Sequence, residues 1–150
     1  MTEQRKPALV VVRSGADGLR TEIGMRGHTL VADEPVGSGG TDAGPTPYEL
    51  LSAALGTCIA MTVRLYANRK GWPLEGVTVR LRHSRIWEKD CEDCDEAPVG
   101  VDRIERDVEL EGPLDDEQRE RILAIADRCP VKQTLARGVR VVAAAIPAQA

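Results

Sequence analysis

Two cysteines far apart in the sequence are the residues of this chain best suited to chemistry. Cys58 lies in the apolar run Ala53–Met61, and Cys129 opens the segment Cys129–Leu135. Neither has another cysteine close to it, so only the fold could bring the two together. If it does, the natural product is a reversible disulfide, which indicates thiol redox chemistry rather than a structural cross-link.

The reactivity of each thiol depends on how readily it ionises, because the thiolate is the nucleophile. Cys129 precedes Pro130, and proline is favoured in the first turn of a helix. Free N–H groups and the helix dipole at that position would stabilise a thiolate. Cys58 is in the middle of an apolar helix and has no such local help, so the fold would have to bring a cation to it.

Arginines of the N-terminal strands are candidates for that cation, and a nearby carboxylate could orient the chosen arginine. Attack of the Cys58 thiolate on a hydroperoxide would give a sulfenic acid, which Cys129 would convert to a disulfide. The alternative is that both cysteines are small buried hydrophobic residues, as free cysteines often are. The candidate arginines are Arg13, Arg20 and Arg26, and the candidate carboxylate is Glu49.

A second cluster combines Cys91 and Cys94, in a CxxC motif, with His83. Zinc takes four ligands from nitrogen, sulfur and oxygen donors, so these three residues could bind it with a nearby aspartate or a partner chain as the fourth. The acidic surroundings favour a cation and disfavour a reactive thiolate. The alternative is a solvated acidic loop with two inert thiols, His83 being a packed strand residue.

Composition limits the other function classes. The net charge of −4 argues against nucleic acid as the main partner. The N-terminus has no apolar segment typical of a signal peptide, and the apolar run Ala53–Val63 looks too short to span a bilayer. We therefore expect a cytoplasmic protein that does not contact membranes, in which cysteines are reduced by default.

The pattern of elements predicts a single α+β domain over residues 1–150, because strands, a long helix, further strands and a last helical region follow in segregated runs. An N-terminal hairpin and a third strand precede the central helix, which is apolar on most sides and is therefore expected to be buried. Its apolar stripe is expected to include Leu51, Met61 and Leu65. The predicted elements are strands at 8–13, 19–23, 28–32, 77–83, 104–110 and 139–146, and helices at 47–70, from 114 and from 130.

The two cysteine segments resemble motifs of a known family. Pro45–Cys58 resembles the central-helix motif of the OsmC/Ohr proteins, the osmotically inducible and organic hydroperoxide resistance proteins, and Cys129–Leu135 resembles their second cysteine motif. The resemblance implies an intertwined homodimer, with antiparallel sheets wrapped around long buried central helices and two active sites at the subunit interface. It also implies thiol peroxidase activity on organic hydroperoxides, with Cys58 peroxidatic and Cys129 resolving.

In such proteins an arginine and a glutamate assist the first cysteine, no cofactor is required, and a dithiol such as a lipoylated protein is the reductant. Here Arg13 and Arg20 both flank the tip of the first hairpin, so either could be that arginine. Pro47 is followed by Tyr48, and the available carboxylate is Glu49, one position further along the helix. The alternative function is a non-catalytic or sensing dimer that binds an apolar ligand, or a metal at the Cys91/Cys94 loop.

Overall fold

The structure, a computed structural model, describes residues 8–87 and 100–147. These residues fall into two compact units, the first formed by the chain up to Leu50 and from Val141 onwards, the second by Leu51–Arg140. The described residues form antiparallel strands and helices, which confirms the α+β class.

The first unit contains a three-stranded antiparallel sheet in the order β1-β2-β3, formed by β1 (Val10–Ser14), β2 (Thr21–Met25) and β3 (His28–Ala32). The turn between β2 and β3 places Arg26 at φ 49° and Gly27 at φ 82°. Two positive φ angles are typical of the tight hairpin turn whose twist matches that of the strands. The antiparallel pairing of β1 with β2 confirms the predicted N-terminal hairpin, and the pairing of β2 with β3 confirms the predicted third strand.

A buried carboxylate organises the loop that follows β3. Asp33 is only 3% exposed, and its oxygens accept four hydrogen bonds at 2.7–3.1 Å, from the backbone of Glu34, Thr41 and Ala43 and from the Thr41 hydroxyl. These bonds, above all that from the Thr41 hydroxyl, lower the pKa of Asp33 from 3.8 to about 2, although burial opposes the shift. The loop thus depends on an ionised carboxylate.

The central helix α1 spans Pro47–Lys70, as predicted. A capping box starts it: the Glu49 N–H donates to the Thr46 hydroxyl at 3.2 Å, and the Thr46 N–H donates to the Glu49 carboxylate at 2.8 Å. Pro47 then occupies the first helical position, where its missing N–H costs no hydrogen bond. Gly71, with φ 67°, follows the last helical residue.

Only one face of α1 is buried, which corrects the prediction of a helix buried on most sides. The buried positions are Leu55, Gly56, Ile59, Val63 and Ala67. Three residues of the predicted stripe lie on the opposite face and are exposed in this single chain: Leu51 at 38%, Met61 at 60% and Leu65 at 63%. A helix apolar all round can bury either face, and the sequence alone does not reveal which one the sheet covers.

The length of α1 corrects a second expectation. By length and composition the 24-residue helix could cross a bilayer, with a mean hydropathy of 1.5 over its most apolar window. The run Ala53–Val63 is thus only part of a helix that is long enough to span a bilayer. Helices in protein cores can be equally long and apolar. The buried face of α1 belongs to the hydrophobic core of the second unit.

The second unit packs α1 beside a two-stranded antiparallel hairpin and two short helices. β4 (Gly76–Trp87) pairs with β5 (Gly100–Glu111) along its whole length. α2 (Asp116–Ala126) begins with a capping box from Asp115, and α3 (Pro130–Arg137) follows after three residues. The core cluster consists of Leu55, Ile59, Val63, Ala67, Leu74, Leu114, Ile122, Ala126 and Cys129.

The predicted final strand is wrong for this structure. Residues 138–147 form no strand, and their apolar side chains are exposed: Val139 at 62%, Val141 at 91%, Val142 at 69% and Ile146 at 69%. A strand needs a neighbouring strand to accept and donate its backbone hydrogen bonds, and this β-branched segment pairs with none of the described strands.

Candidate functional site

The fold of the second unit brings Cys58 and Cys129 together, although they are 71 positions apart in sequence. Cys58 is in the middle of α1, half-buried and packed against the core cluster, and Cys129 is a fully buried member of that cluster. Both thiols are free. The Cys58 side chain is close enough to influence the ionisation of Cys129 by hydrogen bonding and by charge.

Cys129 caps α3, as its position before Pro130 predicted. Its sulfur accepts a hydrogen bond from the Lys132 N–H at 3.5 Å, and its carbonyl oxygen accepts one from the Gln133 N–H at 3.1 Å. Burial nevertheless raises the pKa of the Cys129 thiol. The hydrogen bond with Cys58 and the negative charge of a Cys58 thiolate raise it further, and these effects outweigh the lowering by the Lys132 and Val131 N–H groups.

This pKa shift corrects the expectation that the helix start would make Cys129 the more readily ionised thiol. A helix N-terminus favours a thiolate, but loss of hydration in the core acts the other way and is the larger effect here. Cys129 therefore holds its proton more tightly than a free cysteine does. Cys58, which is only half-buried, is the more accessible residue of the pair.

Close packing of α1 on β4 near Gly56 contributes to the position of Cys58 along the core. A Cβ atom at Gly56 would lie 2.6 Å from Cδ1 of Leu81, so a larger residue at this position requires the leucine side chain, the helix or the strand to shift. Gly56 is two residues from Cys58, which means that this contact also sets the position of the cysteine.

An arginine that we did not predict lies near this site. Arg106 lies on the same face of β5 as Ile104, Val108 and Leu110, which all pack against the core cluster, and its side chain is only 26% exposed. Nη2 of Arg106 donates to Oδ1 of Asp127 at 2.5 Å, two residues before Cys129. The alternation of side chains along the β5 sequence is a signal from which the inner-face position of Arg106 could have been predicted.

The predicted assisting residues belong to the first unit. Arg13 is in β1, and Arg20 donates through both terminal nitrogens to Oε1 of Glu22 at 3.1 Å. Glu22, rather than Glu49, is thus the carboxylate that orients Arg20 in this structure. Glu49 forms the capping box of α1 with Thr46. A catalytic role for Arg13, Arg20 or Glu49 stays a prediction.

His83 lies in β4, where its Nε2 contacts Oδ1 of Asp102 at 2.9 Å. Hydrogen bonds from His83 and then Arg85 lower the pKa of Asp102. Within residues 8–87 and 100–147, no group of three or more His, Cys, Asp or Glu side chains is arranged to hold a metal. Cys91 and Cys94 lie outside the described residues, so zinc binding at the CxxC motif stays a prediction.

The described residues thus combine an α+β fold with two neighbouring cysteines from distant segments, one half-buried and one buried. A family model for OsmC-like proteins matches residues 39–143. The chain therefore belongs to the OsmC/Ohr family, as the two cysteine motifs indicated. A comparison with proteins of curated function finds no match.

Solved structures share this fold at low sequence identity. An OsmC-like protein from Mycoplasma pneumoniae is 19% identical, with 89% of each chain covered and a TM-score of 0.67. An organic hydroperoxide resistance protein OsmC from Legionella pneumophila is 18% identical, with 87% of this chain and 90% of that one covered and a TM-score of 0.62. An organic hydroperoxide resistance protein from Elizabethkingia anophelis is 15% identical, with 91% of each chain covered and a TM-score of 0.66. These likenesses establish the fold alone, because proteins that share one fold can have different activities.

Proposed function

We propose that this protein is a thiol-dependent peroxidase that reduces organic hydroperoxides through a Cys58 sulfenic acid resolved by Cys129. The observation that carries the proposal is the pairing of the half-buried Cys58 with the buried Cys129, both as free thiols. The names of the Legionella pneumophila and Elizabethkingia anophelis proteins, which share this fold, support the choice of an organic hydroperoxide as substrate.

The proposed reaction has three balanced steps. The Cys58 thiolate attacks the distal oxygen of the hydroperoxide, the O–O bond breaks, and the departing alkoxide takes a proton to leave as an alcohol. Cys58 is then a sulfenic acid. Cys129 loses its proton and attacks the Cys58 sulfur, which forms the disulfide and releases water. A dithiol reduces the disulfide and leaves as its own cyclic disulfide.

Each cysteine suits its proposed step. Attack requires access, and Cys58 has it because its side chain is only half-buried. Resolution requires a second thiol that stays reduced until the sulfenic acid appears, and burial of Cys129 with its raised pKa provides this. The same burial protects Cys129 from direct oxidation, because a protonated, inaccessible thiol reacts slowly with peroxide.

The remaining roles in the proposal rest on the family. Arg13 or Arg20 would hold Cys58 as a thiolate, Glu49 would orient that arginine, and a dithiol such as a lipoylated protein would supply the electrons. No cofactor takes part, because the two sulfurs carry both electrons. We place the reaction in the cytoplasm, where reductants keep both thiols available.

We propose a homodimer as the working form. Leu51, Met61 and Leu65 form an exposed apolar stripe on α1, and exposed apolar stripes of this kind mark surfaces that another protein covers. The β-branched segment from Val139 to Ile146 could pair with a strand of a second copy. Met61→Lys should shift the protein from dimer to monomer in analytical ultracentrifugation. Lysine at the exposed Asn68, on the polar end of the same helix, is the matched control.

Rapid mixing with cumene hydroperoxide tests the peroxidase. Full-length protein with Cys91→Ser and Cys94→Ser isolates the two proposed cysteines, so oxidation should consume two thiols and mass spectrometry should find a Cys58–Cys129 disulfide. Cys129→Ser should stop at a Cys58 sulfenic acid that dimedone traps. Cys58→Ser should abolish oxidation, because the buried thiol alone reacts slowly.

Two results would overturn the proposal. One is a reduced protein whose thiols survive excess hydroperoxide for minutes. The other is an oxidation rate that Cys58→Ser leaves unchanged. If the unsubstituted protein is also inert but binds zinc stoichiometrically, and Cys91→Ser abolishes that binding, the alternative of a metal-binding dimer replaces the peroxidase.

A further inference from the structure

An ion cluster in the second unit joins three elements beside Cys129. Oδ1 of Asp127 accepts from Nη2 of Arg106 in β5 at 2.5 Å and from Nζ of Lys132 in α3 at 2.7 Å. Asp127 itself ends α2 as its C-terminal cap. One carboxylate oxygen therefore ties the start of α3 to a strand of the hairpin and to the end of α2.

The cluster surrounds the short connection that carries the cysteine. Only Asp127, Arg128 and Cys129 lie between α2 and α3. Lys132 contacts this connection twice, because its side chain binds Asp127 and its backbone N–H donates to Sγ of Cys129 at 3.5 Å. Movement of Lys132 away from Asp127 would therefore loosen the hydrogen bond that holds the sulfur.

We propose that Asp127 is a positioning residue, which uses Arg106 and Lys132 to hold Cys129 buried against Cys58. Its role in resolution rests on the proposed function, but its role in burying Cys129 does not. A disulfide forms only when both sulfurs reach a narrow range of distances and angles. Restraint of the Asp127–Cys129 connection therefore raises the fraction of time that the Cys129 sulfur spends in position to react with Cys58.

The exposure of the cluster suits positioning rather than overall stability. The side chain of Asp127 is 50% exposed, that of Lys132 43% and that of Arg106 26%. Ion pairs this accessible contribute little to the stability of a fold, so their loss should leave the protein folded. They are also screened by salt, which provides an independent handle on the same interaction.

Alkylation of the reduced full-length protein tests the positioning role without peroxide. Iodoacetamide labelling of Cys129, followed by peptide mass spectrometry, should be about fivefold faster in Asp127→Ala than in the unsubstituted protein, the factor expected for loss of a partly exposed ion pair. Asp127→Glu, which keeps the charge, should restore most of the protection. Addition of 1 M NaCl should accelerate labelling of the unsubstituted protein but not of Asp127→Ala.

Glu105→Gln is the matched control, because it removes a similarly exposed pair on β5, in which Glu105 accepts from Arg103 at 2.7 Å. It should leave the labelling rate of Cys129 unchanged. Lys132→Ala, a second variant, should accelerate labelling while the contact between Arg106 and Asp127 remains. Equal labelling rates in Asp127→Ala and the unsubstituted protein would overturn the proposal.

A second assay follows the two oxidation steps with cumene hydroperoxide. Asp127→Ala should form the Cys58 sulfenic acid at the unsubstituted rate but convert it to the disulfide about fivefold more slowly. An unchanged or faster conversion would overturn the role in resolution. If the unsubstituted protein forms no sulfenic acid, the peroxidase proposal fails, whereas the alkylation result still decides whether Asp127 holds Cys129.

Discussion

Replacement of Gly56 by alanine should have opposite effects on stability depending on the residue at position 81. In the unsubstituted protein the new Cβ atom would lie 2.6 Å from Cδ1 of Leu81, whereas carbon atoms in good contact are roughly 3.5–4.0 Å apart. The helix, the strand or the leucine must therefore move by about 1 Å. Overpacking of this size costs about 1–3 kcal/mol.

Helix propensity opposes that cost. Alanine is favoured over glycine in a helix interior by about 1 kcal/mol, because glycine loses more backbone freedom on folding. Gly56→Ala should therefore destabilise the protein by a net ~1 kcal/mol. In a Leu81→Ala background the obstructing Cδ1 atom is gone, and the same substitution should stabilise by about 1 kcal/mol. The coupling energy of the double-mutant cycle is then about 2 kcal/mol.

Urea unfolding of the four proteins, followed by far-UV circular dichroism, measures this cycle. All four must be compared at one protein concentration, because association would make the apparent stability depend on concentration. If Gly56→Ala stabilises the protein equally in both backgrounds, Leu81 rotates away without cost. The reasoning that Gly56 sets the approach of α1 to β4, and with it the position of Cys58, would then be refuted.

Three further predictions concern charge and packing. Hydrogen bonds lower the pKa of Asp33 from 3.8 to about 2. The carboxylate therefore stabilises the fold fully at pH values above its unfolded-state pKa, and this stabilisation disappears as the pH falls through about 2. Asp33→Asn should lack this pH-dependent loss of stability in acid unfolding, and an acid profile identical to that of the unsubstituted protein would refute the prediction. Ile122→Ala should cost about 2–5 kcal/mol in urea unfolding because Ile122 is fully buried, whereas Leu123→Ala, at a position 39% exposed, should cost clearly less. In Cys58→Ala the pKa of the Cys129 thiol should fall, because burial still raises it but the hydrogen bond and charge of Cys58 are lost. A pH series of alkylation rates on the denaturant-free protein measures this pKa, and an unchanged profile would refute the influence of Cys58.

Local signals in the sequence predicted the elements that hold the two cysteines. The predicted bounds of α1, residues 47–70, are correct, and Pro130 predicted the start of α3 with Cys129 as its cap. These features depend on backbone chemistry within a few residues, so no knowledge of the tertiary structure was needed.

Features that depend on distant partners were missed. The sequence did not reveal which face of α1 is buried, because apolar residues occur on both sides and the hairpin decides. The raised pKa of Cys129 follows from burial in a core that the helix-start argument ignored. Residues 139–146 have the composition of a strand, but composition cannot supply the neighbour that a strand requires. The pairing of Arg106 with Asp127 likewise joins separate elements.

The capping box of α1 limits how any study of Glu49 can be interpreted. Its carboxylate accepts the Thr46 N–H at 2.8 Å, so an alanine there would fray the helix that carries Cys58 and slow turnover even if the charge had no part in chemistry. Glutamine retains the reciprocal hydrogen bonds while removing the charge. An isosteric amide at this position therefore separates the structural role of Glu49 from any effect of its charge.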